Sequence, residues 1–309
     1  MDLRPVSRKR DEPLLAFKAE VGASGPVTAV GGRTQWEVGG GVLPEAREVM
    51  APAGVVSFEP ADMVVRVRAG TEARVLDLVL AEAGQMVALP DEPGATVGGL
   101  LAVGHSDVTR LGFGAVRETL LEATYVSSGG RLVTAGGPTV KNVSGFDLCR
   151  LLVGSLGLLG FLGEVVLRTR PRPAATRWLT GVADPFKLLR SLYWPTSLLW
   201  DGARVWLRLD GNPVDVDADT RLAEGEGLQL CDGPPPLPRF RHSVRPAALR
   251  DLNRDSTFIA EVGVGVVHSA EPPPGRELEP ALAELHRRLK RQFDPTGRLN
   301  PGRRVGGSW

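Results

Sequence analysis

Residues 93–99 read Pro93-Gly94-Ala95-Thr96-Val97-Gly98-Gly99, a glycine-rich segment that runs directly into the apolar residues 100–103. Two further glycine-rich segments accompany it, at residues 31–35 and 154–160. Backbone N–H groups can cradle a phosphate only where the chain approaches closely, which glycine permits and a Cβ atom often blocks. Each segment taken alone is typical of a tight turn. Only the three segments taken together can therefore indicate a phosphate-binding site.

The familiar nucleotide-binding and hydrolase motifs do not match these segments. Gly154, Gly157 and Gly160 are spaced G-x-x-G-x-x-G, whereas a Rossmann turn requires G-x-G-x-x-G. The chain also contains no G-x-x-x-x-G-K-[ST], no G-x-S-x-G and no H-E-x-x-H. P-loop nucleotide hydrolysis, α/β-hydrolase chemistry and zincin proteolysis are therefore not leading interpretations.

The composition is that of a globular protein of about two domains. The chain has 309 residues, of which 42% are hydrophobic and 24% charged, so it can build a sizeable core. Its 37 basic and 36 acidic residues leave a net charge of +1, which argues against nucleic-acid binding through overall charge. Cys149 and Cys231 cannot ligate an iron–sulfur cluster, which normally takes four thiolates. They are predicted to be free thiols in a reducing compartment.

No segment is typical of a leader or a membrane span. The N-terminus is charged, and the longest uncharged apolar run, residues 151–163, is too short to cross a bilayer. We therefore expect a cytoplasmic protein, with peripheral association at the inner face of a membrane through partners left open.

Strands and helices alternate irregularly, which predicts an α+β fold and not a regular βαβ series. Thr71 is expected to cap a helix that carries Val75, Leu78 and Val79 on one face. The polar, proline-rich residues 210–238 predict a surface loop, and residues 170–173, Arg-Pro-Arg-Pro, predict a domain boundary. Strands are predicted at residues 27–30, 55–58, 63–67, 123–126, 131–134, 163–168 and 258–267, and a last helix around Leu282, Leu285 and Leu289.

Six blocks of sequence in the first half, and one near the end, follow each other in a specific order and spacing. From residue 69 to 173 they resemble the FAD-binding domain of the vanillyl-alcohol oxidase / p-cresol methylhydroxylase (PCMH) superfamily, most closely its glycolate oxidase branch. The blocks are Arg68-Ala69-Gly70-Thr71, Leu80-Ala81-Glu82-Ala83-Gly84-Gln85, Gly94-Ala95-Thr96-Val97-Gly98-Gly99, Gly114-Ala115-Val116-Arg117-Glu118, Val140-Lys141-Asn142-Val143-Ser144-Gly145-Phe146-Asp147, Gly154-Ser155-Leu156-Gly157 and the C-terminal Phe293-Asp294-Pro295-Thr296-Gly297-Arg298-Leu299-Asn300-Pro301-Gly302-Arg303. The resemblance is poor from about residue 174 to 255.

The resemblance implies a two-subdomain PCMH-type FAD-binding domain followed by a reduced α+β cap domain. The FAD domain would span residues 1–173 with a subdomain boundary near 70, the cap residues 174–280, and a helix and tail at 281–309 would return to the FAD domain. FAD would be held without a covalent bond, since no His or Cys follows Gly31-Gly32. Its implied contacts are Gly31, Gly32, Arg33, Thr34, Gln35, Pro93, Gly94, Ala95, Thr96, Val97, Gly98, Gly99, Gly104, Ser106, Arg110, Gly154, Ser155, Gly157, Gly160 and Phe161.

Several positions depart from the family pattern. Arg33 replaces a usual glycine, so that its guanidinium could pair with phosphate or its Cβ could hinder the approach. Other departures are Leu111 and Gly112 for Pro-Tyr, Phe146 for Tyr, and Leu158 for Thr.

The cap lacks the histidine-rich metal and substrate cluster of related 2-hydroxyacid dehydrogenases, and no metal site is predicted. His242 and His268, isolated in sequence, are interpreted as surface or structural residues. His105, beside the implied flavin loop, and Lys141 are the weak catalytic candidates.

Two functions from different classes follow from these observations. The first is an FAD-dependent oxidoreductase subunit that takes part in oxidising a small 2-hydroxy acid of the glycolate or D-lactate type, with electrons passed to a second flavin subunit and an iron–sulfur subunit. The alternative is a non-catalytic scaffold, flavin-binding or flavin-less, of such a complex. A third possibility is the NADPH-dependent reductase of peptidoglycan-precursor synthesis, against which the blocks at 141–147 and 300–302 favour the oxidase branch.

Overall fold

The computed structural model of the protein describes residues 11–137, 148–253, 256–272 and 279–304, and the fold is α+β. The helices are α1 Glu12–Val21, α2 Ala73–Ala81, α3 Val97–Val103, α4 Arg110–Phe113, α5 Leu148–Leu152, α6 Pro185–Ser191, α7 Pro213–Gly225 and α8 Pro280–Phe293. The strands are β1 Val27–Val30, β2 Arg47–Met50, β3 Val55–Glu59, β4 Val64–Arg68, β5 Gln85–Met86, β6 Leu120–Val126, β7 Leu132–Gly136, β8 Phe161–Arg168, β9 Arg170–Pro171, β10 Ala175–Gly181, β11 Pro195–Trp200, β12 Val205–Gly211, β13 Gln229–Cys231, β14 Phe240–Ser243, β15 Phe258–Glu261 and β16 Val266–Ser269.

A five-stranded antiparallel sheet organises the first half of the chain, in the order β3-β4-β8-β6-β7. Strand β4 alternates as the pleat requires, with Val65 and Val67 fully buried against Leu101 of α3 and Leu167 of β8. Beside this sheet, β1 and β2 form a small parallel pair. Both units end at the glycine-rich segments, so the core fixes the positions of those segments.

A seven-stranded antiparallel sheet occupies residues 175–269, in the order β13-β10-β12-β11-β15-β16-β14. Its own core is centred on Trp200, which meets the rings of Phe186 and Phe258 edge-on, with centroids 5.9 and 5.6 Å away. This sheet touches the first half through α4, where a Cβ on Gly112 would lie 2.8 Å from the Cα of Thr196. The domain boundaries near 70, 173 and 280 stay a prediction.

The segment after α8 returns to β1. Leu299 forms a parallel bridge with Val27, and the N–H of Asn300 donates to the Val27 carbonyl over 2.8 Å. The C-terminal block therefore lies against the strand that leads into residues 31–35.

The strands at 27–30, 55–58 and 63–67, the hairpin at 123–134, the strand at 163–168 and the last helix are confirmed. Cys149 and Cys231 are both outside any disulfide, as expected. Among the described residues, no helix combines the length and the apolar character needed to cross a membrane.

The helix predicted after Thr71 is present as α2, but its predicted cap and its predicted buried face were wrong. Thr71 is buried and exchanges hydrogen bonds with Gly54, whose N–H lies 2.8 Å from its hydroxyl, so it is not available as a helix cap. Leu76 and Leu80 are buried, whereas Val75 and Leu78 are 48% and 64% exposed. Contact with the sheet therefore sets the buried face of α2. It consists of Leu76 and Leu80, each one residue after the predicted Val75 and Val79.

Residues 210–238 are not a continuous surface loop, because they contain α7 and β13. Asn212 accepts the N–H of Val214 over 3.0 Å and Pro213 stands at the first helical position, both standard helix starts. Val216 and Ala223 are buried on the inner face of α7.

Residues 258–267 are likewise not one strand, because the chain turns between β15 and β16 at Gly263 and Gly265.

Candidate functional site

The three glycine-rich segments converge on one cleft. It holds about 940 Å³ of empty space, part of which is open to solvent. The lining residues are Ala29, Val30, Gly31, Gly32, Arg33, Thr34, Gln35, Trp36, Ala51, Ala69, Gly70, Ala95, Thr96, Gly98, Gly99, Leu100, Ala102, Val103, Leu152, Ser155, Leu156, Gly157, Gly160, Phe161, Leu162, Asn300 and Arg303.

The first wall is the loop at 31–35, which leaves the end of β1. No described residue accepts a hydrogen bond from the backbone N–H groups of these five residues. The side-chain Oε1 of Gln35 is also buried without a partner among the described residues. Gly32, Arg33 and Thr34 lie in an exposed part of the loop, where their N–H groups are accessible, and consecutive free amides form a typical anion nest. This wall therefore presents a row of donors to a ligand.

The second wall is the segment at 93–99 with α3, and the first wall lies directly on it. A Cβ atom on Gly32 would overlap the Gly94 carbonyl oxygen, so no other residue fits there. Thr96 caps α3 by accepting the N–H of Gly99 over 3.2 Å. Backbone approaches backbone here, and the cleft is walled by main chain on both sides.

The third wall is the turn before β8. Gly157 has a φ of 70°, and a Cβ there would lie 2.6 Å from Nδ2 of Asn300. Asn300 donates that Nδ2 to the Leu156 carbonyl over 2.5 Å, while its Oδ1 accepts from the Thr28 hydroxyl at 2.7 Å and the Ala29 N–H at 3.2 Å. One buried side chain of the C-terminal block therefore joins β1, the strand that leads into the first wall, to the third wall.

The C-terminal block is itself anchored by charged side chains. The amine of Lys290 donates to the Leu158 and Leu299 carbonyls at 3.0 Å and to Asp294 at 2.6 Å. Arg298 donates to the carbonyls of residues 21, 22, 24, 25 and 128. These bonds hold Asn300 in place.

At the mouth of the cleft, Trp36 lies between two guanidinium groups, those of Arg33 at 4.8 Å and Arg303 at 4.5 Å. Arg33 has the left-handed φ of 57° that its glycine-like position requires, and its side chain pairs with Glu48 at 2.5 Å. Its Cβ leaves the loop intact, and its guanidinium is directed to Glu48 and Trp36. Burial lowers the pKa of Arg303.

Most of the expected contact residues line the cleft, namely Gly31, Gly32, Arg33, Thr34, Gln35, Ala95, Thr96, Gly98, Gly99, Ser155, Gly157, Gly160 and Phe161. Pro93, Gly94, Val97, Gly104, Ser106, Arg110 and Gly154 are not among the lining residues. Val97 is fully buried in the core, and the Ser106 hydroxyl accepts the Val116 N–H over 3.0 Å. Gly104 packs on Gly154, whose backbone a Cβ would meet at 2.7 Å. Lys141 and Phe146 lie outside the described residues.

Sequence reasoning missed Trp36, Asn300 and Arg303 as cleft residues. The signal for two of them was present, because Asn300 and Arg303 belong to the C-terminal block Asn300-Pro301-Gly302-Arg303.

A second cluster lies where the loop after α3 meets the seven-stranded sheet. Arg241 of β14 stands opposite His268 of β16, and a 2.8 Å hydrogen bond joins His268 Nε2 to Oε1 of Glu261 on β15. Glu261 and His268 are 1% and 6% exposed. His268, isolated in sequence, therefore has a buried partner and is not a surface residue.

His105 belongs to the same cluster. Burial, and then the positive charges of Arg241 and His268, lower its pKa to about 4, so its imidazole is neutral at pH 7. Burial also lowers the pKa of Arg241, with Glu261 opposing this effect and Arg110 adding to it. In the described part of the chain, no three His, Cys, Asp or Glu side chains are arranged to hold a metal ion.

Comparison with known proteins matches two regions of the chain to protein families. Residues 16–136 match the FAD binding domain, and residues 257–303 match the C-terminal domain of FAD linked oxidases. Over 90% of its length the chain is 27% identical to glycolate oxidase subunit GlcE of Escherichia coli, of which 92% is covered. It is 32% identical to a D-lactate dehydrogenase of Archaeoglobus fulgidus over 60% of this chain and 41% of that protein.

Among solved structures, alkyldihydroxyacetonephosphate synthase superposes on 96% of this chain and 75% of its own, with a TM-score of 0.64 and 16% identity. At that identity the likeness shows the fold alone. The two family matches and the GlcE relative identify the chain as a member of the FAD-linked oxidases, oxidoreductases whose cofactor is FAD.

Proposed function

We propose that the protein holds FAD in this cleft without a covalent bond and takes part in oxidising a small 2-hydroxy acid of the glycolate or D-lactate type. The relatives named above support the substrate class, since one is a glycolate oxidase subunit and the other a D-lactate dehydrogenase. The E. coli relative is matched along nearly its whole length, and its name describes a subunit.

The row of unbonded donors at 31–35 is the observation that carries the proposal. FAD brings two phosphates and a flat ring that accepts a hydride equivalent, so a fitting site needs amide donors and an apolar slot. The amides of Gly31 to Gln35 would hold the diphosphate, with Arg303 adding positive charge at the mouth. Val103, Leu152 and Phe161 would pack on the ring and exclude water.

The further contacts expected from the sequence remain part of this proposal, including those at Gly98, Gly99, Ser155, Gly157 and Gly160. A non-covalent mode fits the lining, which contains no His, Cys or Tyr among the described residues. The cleft lining would thus bind and orient the cofactor and form no bond to it.

Electrons have to leave through another component. Cys149 and Cys231 are the only thiols of the chain, and an iron–sulfur cluster normally requires four. We propose that a second flavin subunit and an iron–sulfur subunit receive them, or that a diffusible acceptor does.

One observation favours the alternative of a flavin-less scaffold. Arg33 holds a left-handed backbone at a position suited to glycine, which costs about 1–2 kcal/mol, and its guanidinium is engaged by Glu48 and Trp36. A loop that no longer had to meet a diphosphate could tolerate such a residue.

The decisive experiment is the flavin absorption spectrum of the purified protein before and after denaturation. The proposal expects a bound flavin that is released on unfolding and identified as FAD because hydrolysis of its pyrophosphate bridge yields FMN and AMP. A colourless protein that takes up no added FAD, as wild type and as Arg33→Gly, would remove the proposal. Anaerobic addition of glycolate or D-lactate, with and without co-purified partners, then tests whether this subunit bleaches its own flavin.

A further inference from the structure

We propose that α8 docks the protein on an anionic lipid surface, with the helix lying along the surface and not crossing it. The apolar stripe formed by Leu282, Leu285, Leu289 and Phe293 faces the lipid, and the arginines beside the stripe meet the lipid phosphates. This inference goes beyond the proposed function and does not depend on the cofactor or the substrate.

Helix α8 is the longest of the described helices, and none of its residues is buried. Its apolar stripe recurs at positions 282, 285, 289 and 293, a spacing that places the four side chains on one face. Leu282 and Leu285 are 41% and 49% exposed, whereas Leu289 and Phe293 are half-buried. The first two turns of this face therefore stay uncovered by the rest of the described chain.

The last turn of α8 is anchored to the body of the protein. The amine of Lys290 donates to the Leu158 and Leu299 carbonyls at 3.0 Å. The Phe293 carbonyl accepts the hydroxyl of Ser128 over 2.6 Å. The helix is thus folded and held before any ligand arrives, so binding need not supply the cost of ordering it.

Three arginines give the exposed side of α8 a positive charge. The guanidinium groups of Arg287 and Arg291 lie 2.9 and 3.0 Å from the carboxylate of Glu284. Arg288 is exposed and forms no ion pair or hydrogen bond with a described residue. Three guanidinium groups against one carboxylate leave an excess of two positive charges, on a chain whose net charge is only +1. Glu279 precedes the first turn, about 12 Å along the axis from Arg287, so the excess is local to the second half of the helix.

The stripe and the arginines adjoin each other. Arg288 follows Leu285 by three residues, so the two side chains are neighbours on the helix surface. An arginine can lay its aliphatic stem along apolar surface while its guanidinium stays in water, where it pairs with phosphate through two parallel hydrogen bonds. Leucines on one face with arginines beside them are the pattern of a helix that lies in a lipid interface, and each arginine adds attraction to anionic lipid.

A protein partner fits this face less well than lipid does. Stable protein interfaces bury ~800 Å² on each partner and are anchored by large aromatic side chains. The exposed part of the stripe offers two leucines, and its one aromatic residue, Phe293, packs instead against the core of the five-stranded sheet. A lipid surface requires only a narrow apolar stripe with positive charge beside it.

The test uses the full purified chain and measures its co-sedimentation with large vesicles. The vesicles contain phosphatidylcholine alone, or phosphatidylcholine and the anionic lipid phosphatidylglycerol in equal parts. Leu285→Gln removes an apolar contact and Arg288→Gln a positive charge, both at exposed positions. Arg221→Gln and Leu222→Gln are the matched controls, because both residues are exposed on α7 and lie outside the stripe.

We expect wild type to bind the anionic vesicles at least ~tenfold more tightly than the neutral ones and to lose this preference at high salt. Leu285→Gln and Arg288→Gln should each weaken binding to the anionic vesicles by about fivefold, and the two α7 controls by less than ~twofold. Should Leu285→Gln fail to fold, Leu282→Gln carries the same comparison.

The proposal is overturned by a wild type that binds neither kind of vesicle, or binds both equally. It is also overturned if Leu285→Gln and Arg288→Gln bind the anionic vesicles as wild type does. A wild-type dimer that Leu285→Gln dissociates, without any vesicle binding, would assign the stripe to a second copy of the chain and not to lipid.

Discussion

The cleft is lined mainly by backbone, whereas the second cluster, around Arg241 and His268, is made of side chains. The cleft wall at 31–35 is consecutive backbone, and its donors are the amides of neighbouring residues. The cluster around Arg241 is assembled from side chains on β14, β15, β16 and the loop after α3, with His105 and His268 separated by more than half the chain. A site made of main chain leaves a local signature of glycines, whereas a site made of distant side chains leaves none.

Gly32→Ala should have the largest effect, because the added methyl overlaps backbone that has no flexible end to move aside. We expect FAD affinity to fall by at least ~100-fold and the free energy of unfolding by about 2–4 kcal/mol, as for other overpacked or strained positions. Flavin titration and urea unfolding measure both quantities.

Gly41→Ala is the control for this change, since a Cβ there meets no atom within 4 Å. Normal FAD binding by Gly32→Ala would show that the two walls can separate, and the cleft would then not depend on backbone contact.

The contrast explains what the sequence could and could not predict. The segments at 31–35, 93–99 and 154–160 were found because turn glycines and their order are local features. The pair Glu261 and His268 was missed because residues 258–267 had been read as one strand, and only the turn at Gly263 brings their side chains together. Thr71 was misread because its hydroxyl bonds to Gly54, a contact made across the sheet edge.

The missed helix α7 is a different failure. Its start signals, Asn212 and Pro213, were visible, and so was the spacing of Val216, Thr220 and Ala223. The overall polarity of residues 210–238 outweighed a local pattern that predicts a helix. The sequence therefore contained the signals for α7, although its overall polarity favours a loop.

Asn300→Ala should have the next largest effect, since Asn300 is the side chain that ties two backbone walls together. Its loss leaves the buried Leu156 carbonyl and the part-buried Ala29 N–H without their partner, at about 1–3 kcal/mol for a fully buried group and less for a part-buried one. We expect unfolding to become easier by about 2–4 kcal/mol and FAD to bind more weakly. Asn212→Ala is the matched control, because this exposed cap of α7 should cost only ~1 kcal/mol and leave FAD affinity unchanged. Equal FAD affinity in the two variants would contradict the bridging role.

His105→Asn tests the second cluster through pH. The folded pKa of about 4 lies below the ordinary value of 6.5, so between these values the unfolded chain binds more protons than the folded protein. The free energy of unfolding should therefore decrease as the pH falls from about 6.5 towards 4, by at most ~1.4 kcal/mol per pH unit from this residue. Burial of the ring, which is the largest cause, and the electrostatic effects of Arg241 and His268 all act in this direction.

Urea unfolding between pH 7 and 4.5 measures this slope, which should be shallower for His105→Asn than for wild type. His286→Asn on α8 is the control, as a histidine outside the cluster. Parallel slopes for wild type and His105→Asn would show that the His105 imidazole is not held neutral by its neighbours.

Arg33→Gly should have the smallest effect, and it tests whether the cleft depends on backbone alone. Glycine relieves the strain of the left-handed φ of 57°, which stabilises the fold by about 1–2 kcal/mol. Against this, the variant loses the exposed ion pair with Glu48 and the stacking on Trp36, each worth up to ~1 kcal/mol. Glycine also raises the conformational entropy of the unfolded chain, which destabilises the fold. We expect stability to change by less than ~1 kcal/mol and FAD affinity by no more than a few-fold, because the amides of the loop stay where they are. Glu48→Gln removes the ion pair without altering the backbone and isolates that contribution. A tenfold loss of FAD affinity in Arg33→Gly, with Glu48→Gln unchanged, would mean that the guanidinium itself contacts the cofactor, and the division between a main-chain site and a side-chain site would no longer hold at this wall.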